Sequence, residues 1–136
     1  MKYQKVQSYQ VAETWSCQTH IATERPIRTA FVDLINGELF MKFAFCFEPS
    51  GPAEYLETKN TTKKGLRGYC IHDALVYLIR NGHLDPAWKV VADDLMHEFH
   101  IKDGMNKLWA WVVHQTVSKT DFYIDPGYRT KVQTAP

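Results

Sequence analysis

A histidine and two aspartates are the side chains best placed to carry chemistry. His72 and Asp73 are adjacent in a strongly apolar segment, and Asp93 follows in the next segment with a helical pattern. An imidazole held by a carboxylate through one nitrogen keeps its other nitrogen free as a general base. Asp73, about 100° round the helix from His72, could bind a divalent cation or a substrate donor. The alternative is a structural hydrogen bond between two buried polar groups.

A second set of candidate ligands shares one helix face. Asp93, His97 and His100 stand at positions i, i+4 and i+7 and could present three metal ligands, with His72 as a fourth. Such a site would suit a metal-dependent nuclease. The alternative is a solvated helix face, where histidine is favourable near the C-terminal end. The chain has no Gly-x-Ser-x-Gly motif and no glycine-rich phosphate loop.

Three helices are predicted in the second half of the chain. Lys63–Arg80 is apolar almost all round, which indicates a buried central helix. Asn81-Gly82 is a plausible C-cap. Asp85-Pro86 places an N-cap before a proline at the first helical position and opens a second helix to about His100. After the interruption at Asp103-Gly104, Asn106–Lys119 forms the third helix.

The short connection between the first two helices decides where the candidate residues meet. About four residues join them, so they should pack as an antiparallel hairpin. His72 and Asp93 are each about 12 Å from the turn, at about 1.5 Å per residue, and therefore come level across the interface. His72 shares its face with Ile71, Leu75 and Ile79, so its ring should point into protein.

The first half of the chain is predicted to be β. Lys5–Val11 alternates weakly and could be an edge strand. Ile27–Ile35 and Glu38–Phe47 are apolar runs separated by Asn36-Gly37. An Asn-Gly pair between apolar runs predicts a hairpin with a type I′ turn, because that turn needs positive φ at both central residues.

The whole chain is predicted to be one α+β domain. Its 136 residues have room for one sizeable core. A small N-terminal antiparallel sheet with a β-hairpin (1–47) precedes a three-helix cluster (63–119), and a polar loop from Pro49 to about Thr62 joins them. The tail (120–136) is loop-like and could form an extended strap over the surface.

Composition excludes several classes of protein. Hydrophobic residues make up 45% and charged residues 23%, as in a folded soluble protein. The net charge of +1 gives no field that would attract nucleic acid or an anionic membrane. One basic cluster, at a loop entering a helix, could bind a phosphate or be a solvated loop. It comprises Lys59, Lys63, Lys64 and Arg67.

Cysteine usage and the N-terminus bear on location. Cys17, Cys46 and Cys70 are odd in number and well separated, which argues against a disulfide framework or a zinc ribbon. The polar N-terminus lacks the apolar run of a signal peptide, and no apolar run approaches the length of a membrane span. A cytoplasmic protein with reduced thiols is therefore predicted.

Several motifs, in order over roughly residues 3 to 115, resemble those of an uncharacterised family of small proteins encoded by tailed phages and prophages. The resemblance implies a protein made in the cytoplasm of an infected host cell. The motifs are Pro49-Ser50-Gly51-Pro52, Glu57-Thr58-Lys59-Asn60, His72-Asp73-Ala74-Leu75, Trp88, Ala92-Asp93, Asp103-Gly104-Met105 and Ala110-Trp111.

The core of that family looks like the catalytic helix pair of secreted and bacterial phospholipases, in which a His-Asp helix lies against an antiparallel helix that carries an aspartate. The resemblance implies that His72 is the base, that Asp93 orients it, and that Asp73 binds calcium. Where the family has Trp-Asp-Gly, this chain has Cys46-Phe47-Glu48. Glu48 is then the candidate second calcium ligand in an altered loop.

Two functions remain open from the sequence. The first is a hydrolase of an ester bond, in a lipid or other acyl substrate, with water as nucleophile and with Lys59, Tyr77, His97 and Trp109 as binding residues. The second is a non-catalytic accessory protein that binds a host or virion protein, for example to block a host defence. An open cleft at the His72 ring would indicate a base, and a sealed ring would indicate a core residue.

The four tryptophans motivate the second function, because tryptophan is enriched at binding hot spots. The alternative for them is core packing, expected more for Trp88 and Trp111 than for Trp109. Trp15 completes the set.

Overall fold

A computed structural model describes residues 9–49 and 59–119, without the side chains of residues 59–63. Within these ranges six short strands precede three α-helices, so the predicted α+β class is confirmed. The strands are β1 (Tyr9–Gln10), β2 (Trp15–Gln18), β3 (Ile27–Arg28), β4 (Val32–Ile35), β5 (Glu38–Met41) and β6 (Cys46–Phe47). The helices are α1 (Lys59–Arg80), α2 (Lys89–Lys102) and α3 (Lys107–Ser118).

The predicted hairpin joins β4 and β5. Asn36 and Gly37 have φ angles of 52° and 81°, the positive values that a type I′ turn requires. Ile35 pairs with Glu38 directly beside the turn. The sheet order is β2-β5-β4-β3, and all its pairs are antiparallel.

The two apolar runs are not continuous strands, contrary to the sequence-based expectation. Thr29 turns the chain by accepting a hydrogen bond from the Val32 backbone N–H through its hydroxyl, so β3 folds back on β4. After β5, Ala44 adopts a φ of 75° and redirects the chain. β6 consequently pairs with β1 in a separate two-stranded sheet. Both breaks depend on turns that hydrophobic periodicity does not reveal.

The predicted first strand and the predicted C-terminal strap lie partly or wholly outside the described residues. Of the predicted strand Lys5–Val11, Tyr9–Gln10 is a strand, and residues 5–8 lie outside the described residues. Strand β2, which pairs with β5 at the edge of the larger sheet, was not predicted. The tail (120–136) and most of the loop that follows Pro49 lie outside the described residues.

Helix α1 begins at Lys59 rather than Lys63, so the predicted polar loop is too long. Its first turn carries polar residues, and a helical backbone can form there without an apolar face. The centre of α1 is buried as expected, with Tyr69, Ile71 and Leu75 fully enclosed. α1 therefore packs against both sheets and against α2, and α3 in turn packs against α2.

The predicted cap residue Asp85 is found, but it caps a short 3₁₀ turn rather than α2 itself. The Asp85 side chain accepts a hydrogen bond from the Ala87 N–H, but Pro86 opens a short 3₁₀ turn, and α2 begins at Lys89. The Asn106 side chain accepts from two backbone N–H groups at the start of α3. No helix within the described ranges has both the length and the apolar character needed to cross a membrane.

Helices α1 and α2 pack antiparallel and close together. Arg67 of α1 binds Asp103 at the end of α2, and His72, later in α1, binds Asp93, which is earlier in α2. This order of contacts is that of antiparallel helices. Gly68 lies at the closest approach, where a Cβ atom would stand 2.8 Å from the Met96 carbonyl oxygen. The absence of a side chain at this position lets the helices come near enough for His72 to reach Asp93.

Candidate functional site

The helix pair brings the predicted histidine and aspartate into direct contact. His72 on α1 places Nε2 2.8 Å from Oδ1 of Asp93 on α2. Only 1% of the His72 residue and 3% of Asp93 are exposed. An ionised carboxylate can only accept, so Nε2 carries the proton and Nδ1 of a neutral ring has a free lone pair.

Lys89 extends this pair into a buried network and was not identified from the sequence. Its Nζ donates to Asp93 Oδ2 at 2.8 Å and to the Val117 carbonyl oxygen at 3.0 Å. The network thus connects α1, α2 and the C-terminal turn of α3. The only sequence signal was the i, i+4 spacing of Lys89 and Asp93, which is also typical of a surface ion pair.

Asp73 lies on the other side of the His72 ring. Its Oδ1 is 3.7 Å from His72 Nδ1, which is an ion-pair distance but too long for a hydrogen bond. Its Oδ2 accepts the backbone N–H of Glu48 at 2.9 Å. His72 Nδ1 is buried and has no hydrogen-bond partner among the described residues. The Asp73 side chain is 16% exposed, whereas the His72 Nδ1 beside it is closed to solvent.

The charges around His72 shift its proton affinity. Burial lowers the pKa of His72, but the carboxylates of Asp73 and Asp93 outweigh it and hold that pKa above its ordinary value. Burial raises the pKa of Asp93, but His72 and Lys89 outweigh it and hold that pKa below its ordinary value. The pair therefore favours an ionised carboxylate beside an imidazole of increased basicity.

His100 provides an internal comparison. It is as buried as His72, and its Nε2 lies 3.2 Å from the Gly65 carbonyl oxygen with no carboxylate in hydrogen-bond contact. Burial lowers the pKa of His100 to about 4. Its Nδ1 is also without a partner among the described residues. Burial alone thus yields a neutral, weakly basic ring at this position, whereas His72 owes its basicity to two carboxylates.

The metal ligands considered from the sequence do not converge. Asp93 faces His72 and Lys89, His100 faces Gly65, and the His97 ring lies 5.2 Å from the His114 ring. Among the described residues no three His, Cys, Asp or Glu side chains form a group that could hold a metal ion. The proposed nuclease site is therefore not formed by these side chains.

The calcium site implied by the phospholipase resemblance also lacks a matching ligand set in the described ranges. Asp73 and Glu48 are neighbours, but it is the Glu48 backbone N–H that meets Asp73 Oδ2. Calcium needs several oxygen ligands, and a hydrogen-bond donor cannot serve as one. The described residues therefore do not fit a calcium ion, and the chemistry below uses none.

Two of the predicted binding residues are partly buried side chains. Tyr77 packs edge-on against Phe45, with ring centroids 5.9 Å apart. Trp109 packs against the core, whereas Trp111 is 55% exposed. The expectation that Trp111 would be the more buried of the two is wrong, because α3 turns Trp111 outward. Trp88 is half-buried against the core, as expected.

The basic cluster lies within α1 rather than on a loop. Arg67 is bound to Asp103, with Nε 3.0 Å from Oδ2, so its charge is already compensated. Lys64 is exposed. The side chains of Lys59, a predicted binding residue, and Lys63 lie outside the described residues. The described part of the cluster therefore offers no convergent phosphate site.

Comparisons of this chain with protein-family models, with curated proteins and with solved structures give no match. The resemblance to the tailed-phage family therefore stays a prediction, as does the cytoplasmic location.

Proposed function

We propose that this protein is a hydrolase in which His72 acts as a general base on water for the cleavage of an ester bond. One observation carries the proposal. The ring is fixed by Asp93 through Nε2, while its buried Nδ1 has no hydrogen-bond partner among the described residues. This arrangement leaves the lone pair of Nδ1 available to accept a proton.

The alternative is a purely structural histidine. It explains the hydrogen bond of Nε2 to Asp93 but not the unpartnered Nδ1. The His72 ring is 1% exposed and its Nδ1 is closed to solvent, which is the sealed arrangement expected of a core residue rather than the open cleft expected of a base, so this observation supports the alternative. A structural role would however be expected to satisfy both nitrogens, because a buried polar atom without a partner costs about 1–3 kcal/mol. His100 leaves a nitrogen unpaired too, but it lacks the carboxylates that raise the pKa of His72. His72 alone combines a free nitrogen with increased basicity.

The spacing between His72 and Asp73 suits a water nucleophile. Nδ1 and Oδ1 are 3.7 Å apart, so one water molecule can donate a hydrogen bond of about 2.8 Å to each of them. In the proposed step the water oxygen bonds to the ester carbonyl carbon while its proton passes to Nδ1. The imidazolium then returns this proton to the departing alkoxide, which yields a carboxylic acid and an alcohol. Asp93 keeps the ring in the required tautomer throughout.

Access to the base must come from the Asp73 side. The His72 ring is 1% exposed, whereas the Asp73 side chain is 16% exposed and is covered by the Glu48 backbone. In the proposed mechanism the Glu48 N–H···Asp73 hydrogen bond opens when an ester carbonyl approaches.

The test is ester hydrolysis by His72→Gln compared with His100→Gln. Both substitutions replace a buried ring on the same helix pair, and circular dichroism checks that each variant is folded. We expect His72→Gln to lose at least about 100-fold in kcat/KM and His100→Gln to keep the wild-type rate within a few-fold. Equal rates in the two variants, or no wild-type turnover above the His72→Gln level, would refute the proposal.

The rate should also depend on pH in a defined direction. Only the neutral ring can accept a proton, and the pKa of His72 is held above its ordinary value. Activity should therefore rise with pH through a midpoint above about 6.5. A midpoint below that value would contradict the assignment of His72 as the base.

An exposed apolar face favours a second candidate, a protein that binds a host or virion protein. Leu108 and Trp111 are 71% and 55% exposed and stand one turn apart on α3. If this face binds a partner, Trp111→Ser should abolish capture of a host or virion protein from infected cells. Val90→Ser removes an equally exposed apolar residue from α2 and should retain capture. If neither the wild type nor Val90→Ser captures a host or virion protein, this second candidate function is refuted.

A further inference from the structure

A cleft of about 200 Å³ lies between α1 and the segments that carry β1, β2 and β6. Val11, the exposed Glu13, Trp15 and Phe47 line it on the strand side, and Leu66, Arg67 and Cys70 line it from α1. Neither the general base nor its aspartate belongs to this cleft. Its function therefore needs a separate explanation.

The cleft lies beside the proposed active site. Leu66, Cys70 and Asp73 follow one another at i, i+4 and i+7, so they share one side of α1. Cys70 is three residues from Asp73, about 4.5 Å along the helix axis. On the strand side, Phe47 lines the cleft and the next residue, Glu48, donates its N–H to Asp73. A molecule in the cleft would thus end next to the Asp73 carboxylate.

The walls of the cleft suit an uncharged, apolar occupant. Burial raises the pKa of Cys70 to about 12, so the thiol remains neutral. Arg67 is the cationic residue of the α1 wall, and its guanidinium is already bound to Asp103. Trp15, Leu66 and Val11 supply apolar surface. Arg67 is thus compensated, and the exposed Glu13 carboxylate on the strand side would repel an anion, so the lining favours an uncharged occupant.

We infer that the cleft binds the acyl chain of the ester substrate, which makes the substrate a medium-chain acyl ester. This inference rests on the proposed function. A volume of about 200 Å³ accommodates an acyl chain of about six or seven carbons, if each carbon group takes about 30 Å³, the volume of one water molecule in the liquid. When such a chain fills the cleft, the ester carbonyl carbon attached to it would lie toward Asp73 and His72.

Binding can be tested without turnover. The probe is 2-nonanone, an uncharged ketone that carries the seven-carbon chain of an octanoyl group and has no ester bond to hydrolyse. Ala12 lines the cleft and is exposed, so Ala12→Trp fills the cleft without replacing a core residue. Ala30 is an exposed alanine outside the cleft lining, and Ala30→Trp is the matched control. NMR chemical-shift titration measures the dissociation constant in each protein.

We expect saturable binding of 2-nonanone to the wild type and to Ala30→Trp, and binding weakened at least about tenfold in Ala12→Trp. Acetone, which lacks the chain, should bind at least about tenfold more weakly than 2-nonanone. Equal binding to Ala12→Trp and Ala30→Trp, or no saturable binding to the wild type, would overturn the assignment of the cleft.

Turnover then separates this inference from the proposed function. The wild type should hydrolyse an octanoyl ester at least about tenfold better than an acetyl ester, as kcat/KM, and Ala12→Trp should lose this preference. A wild type that turns over both esters equally refutes the acyl-chain site and leaves the base intact. Ketone binding that persists without any ester turnover refutes the hydrolase and leaves a small-molecule cleft.

Discussion

The Nζ atom of Lys89 lies 2.8 Å from Oδ2 of Asp93, and both side chains are buried. Asp93 therefore divides its single negative charge between an ammonium group and the His72 ring. With a neutral imidazole the Lys89–Asp93 pair is balanced by itself. A protonated ring adds a positive charge, which the Asp73 carboxylate, 3.7 Å from Nδ1, can balance. Lys89 thus limits how strongly Asp93 stabilises the imidazolium.

Removing the Lys89 charge should change both proton affinity and stability. In Lys89→Met the Asp93 charge acts on His72 alone, so we expect the pKa of His72 to rise above its wild-type value. Breaking a buried ion pair from one side costs about 3–5 kcal/mol of unfolding free energy. NMR titration of the His72 ring and urea denaturation measure the two effects.

Lys102→Met is the matched control for that variant. Lys102 pairs with Glu98 at 3.2 Å with the same i, i+4 spacing on the same helix, but both side chains are more than half exposed. Its loss should cost less than about 1 kcal/mol and leave the pKa of His72 unchanged. A pKa of His72 that falls or stays constant in Lys89→Met would contradict the role assigned to Lys89.

Asp93→Asn should reduce the pH dependence of stability in two ranges. The pKa of His72 is raised on folding, so its contribution is fully present below about pH 6.5 and is lost as the pH rises through the folded-state value. The pKa of Asp93 is lowered on folding, so its contribution is present above about pH 3.8 and is lost as the pH falls through its folded-state value. Urea denaturation at a series of pH values should show both changes weakened. An unaltered pH profile would rule out this coupling.

His100 should make the protein sensitive to mild acid. Its pKa falls from 6.5 to about 4 on folding, so the unfolded chain binds a proton first as the pH decreases. This difference costs about 3 kcal/mol of stability between about pH 6.5 and about pH 4. His100→Gln, whose amide can still donate to the Gly65 carbonyl, should lose that acid sensitivity. His83→Gln, at an exposed position, should behave as wild type, and identical acid profiles of all three proteins would speak against this account.

Gly68→Ala should destabilise the helix pair. Alanine gains about 1 kcal/mol in helix propensity, but its Cβ would lie 2.8 Å from the Met96 carbonyl oxygen and press on the His100 ring. Overpacking of this kind costs about 1–3 kcal/mol, so we expect a net loss measured by thermal or urea denaturation. The helices must separate to relieve the contact, which lengthens the His72–Asp93 hydrogen bond and lowers the pKa of His72. A more stable Gly68→Ala protein would show that the helices do not pack this closely.

Features that depend on a few neighbouring residues could be predicted from the sequence. Asn36-Gly37 forms its turn, Asp85 caps the 3₁₀ turn that precedes α2, and α3 starts beside Asn106, because each side chain or φ angle acts on its own backbone. The contact between His72 and Asp93 was also predictable. A short connection and a constant rise per residue bring the two positions to the same level.

Features that depend on helix rotation and on coverage by distant segments could not be predicted. Lys89 is buried and Trp111 is exposed, whereas lysine is usually exposed and tryptophan usually buried. The reason is the packing of α3 on α2, which decides which sides of the two helices face each other. The partition of the strands into two sheets follows from turns at Thr29 and Ala44 that carry no periodic signal.

The sequence by itself determined the turn, the caps and the level at which an imidazole meets a carboxylate, since local backbone geometry and hydrogen bonding suffice for these. Only the tertiary structure decided that a lysine shares this carboxylate and that Asp73 stands at the free nitrogen of the ring. Lys89 also donates to the Val117 carbonyl oxygen of α3, and the ring is oriented by Asp93 of α2, so both contacts are fixed only when several elements pack into one core.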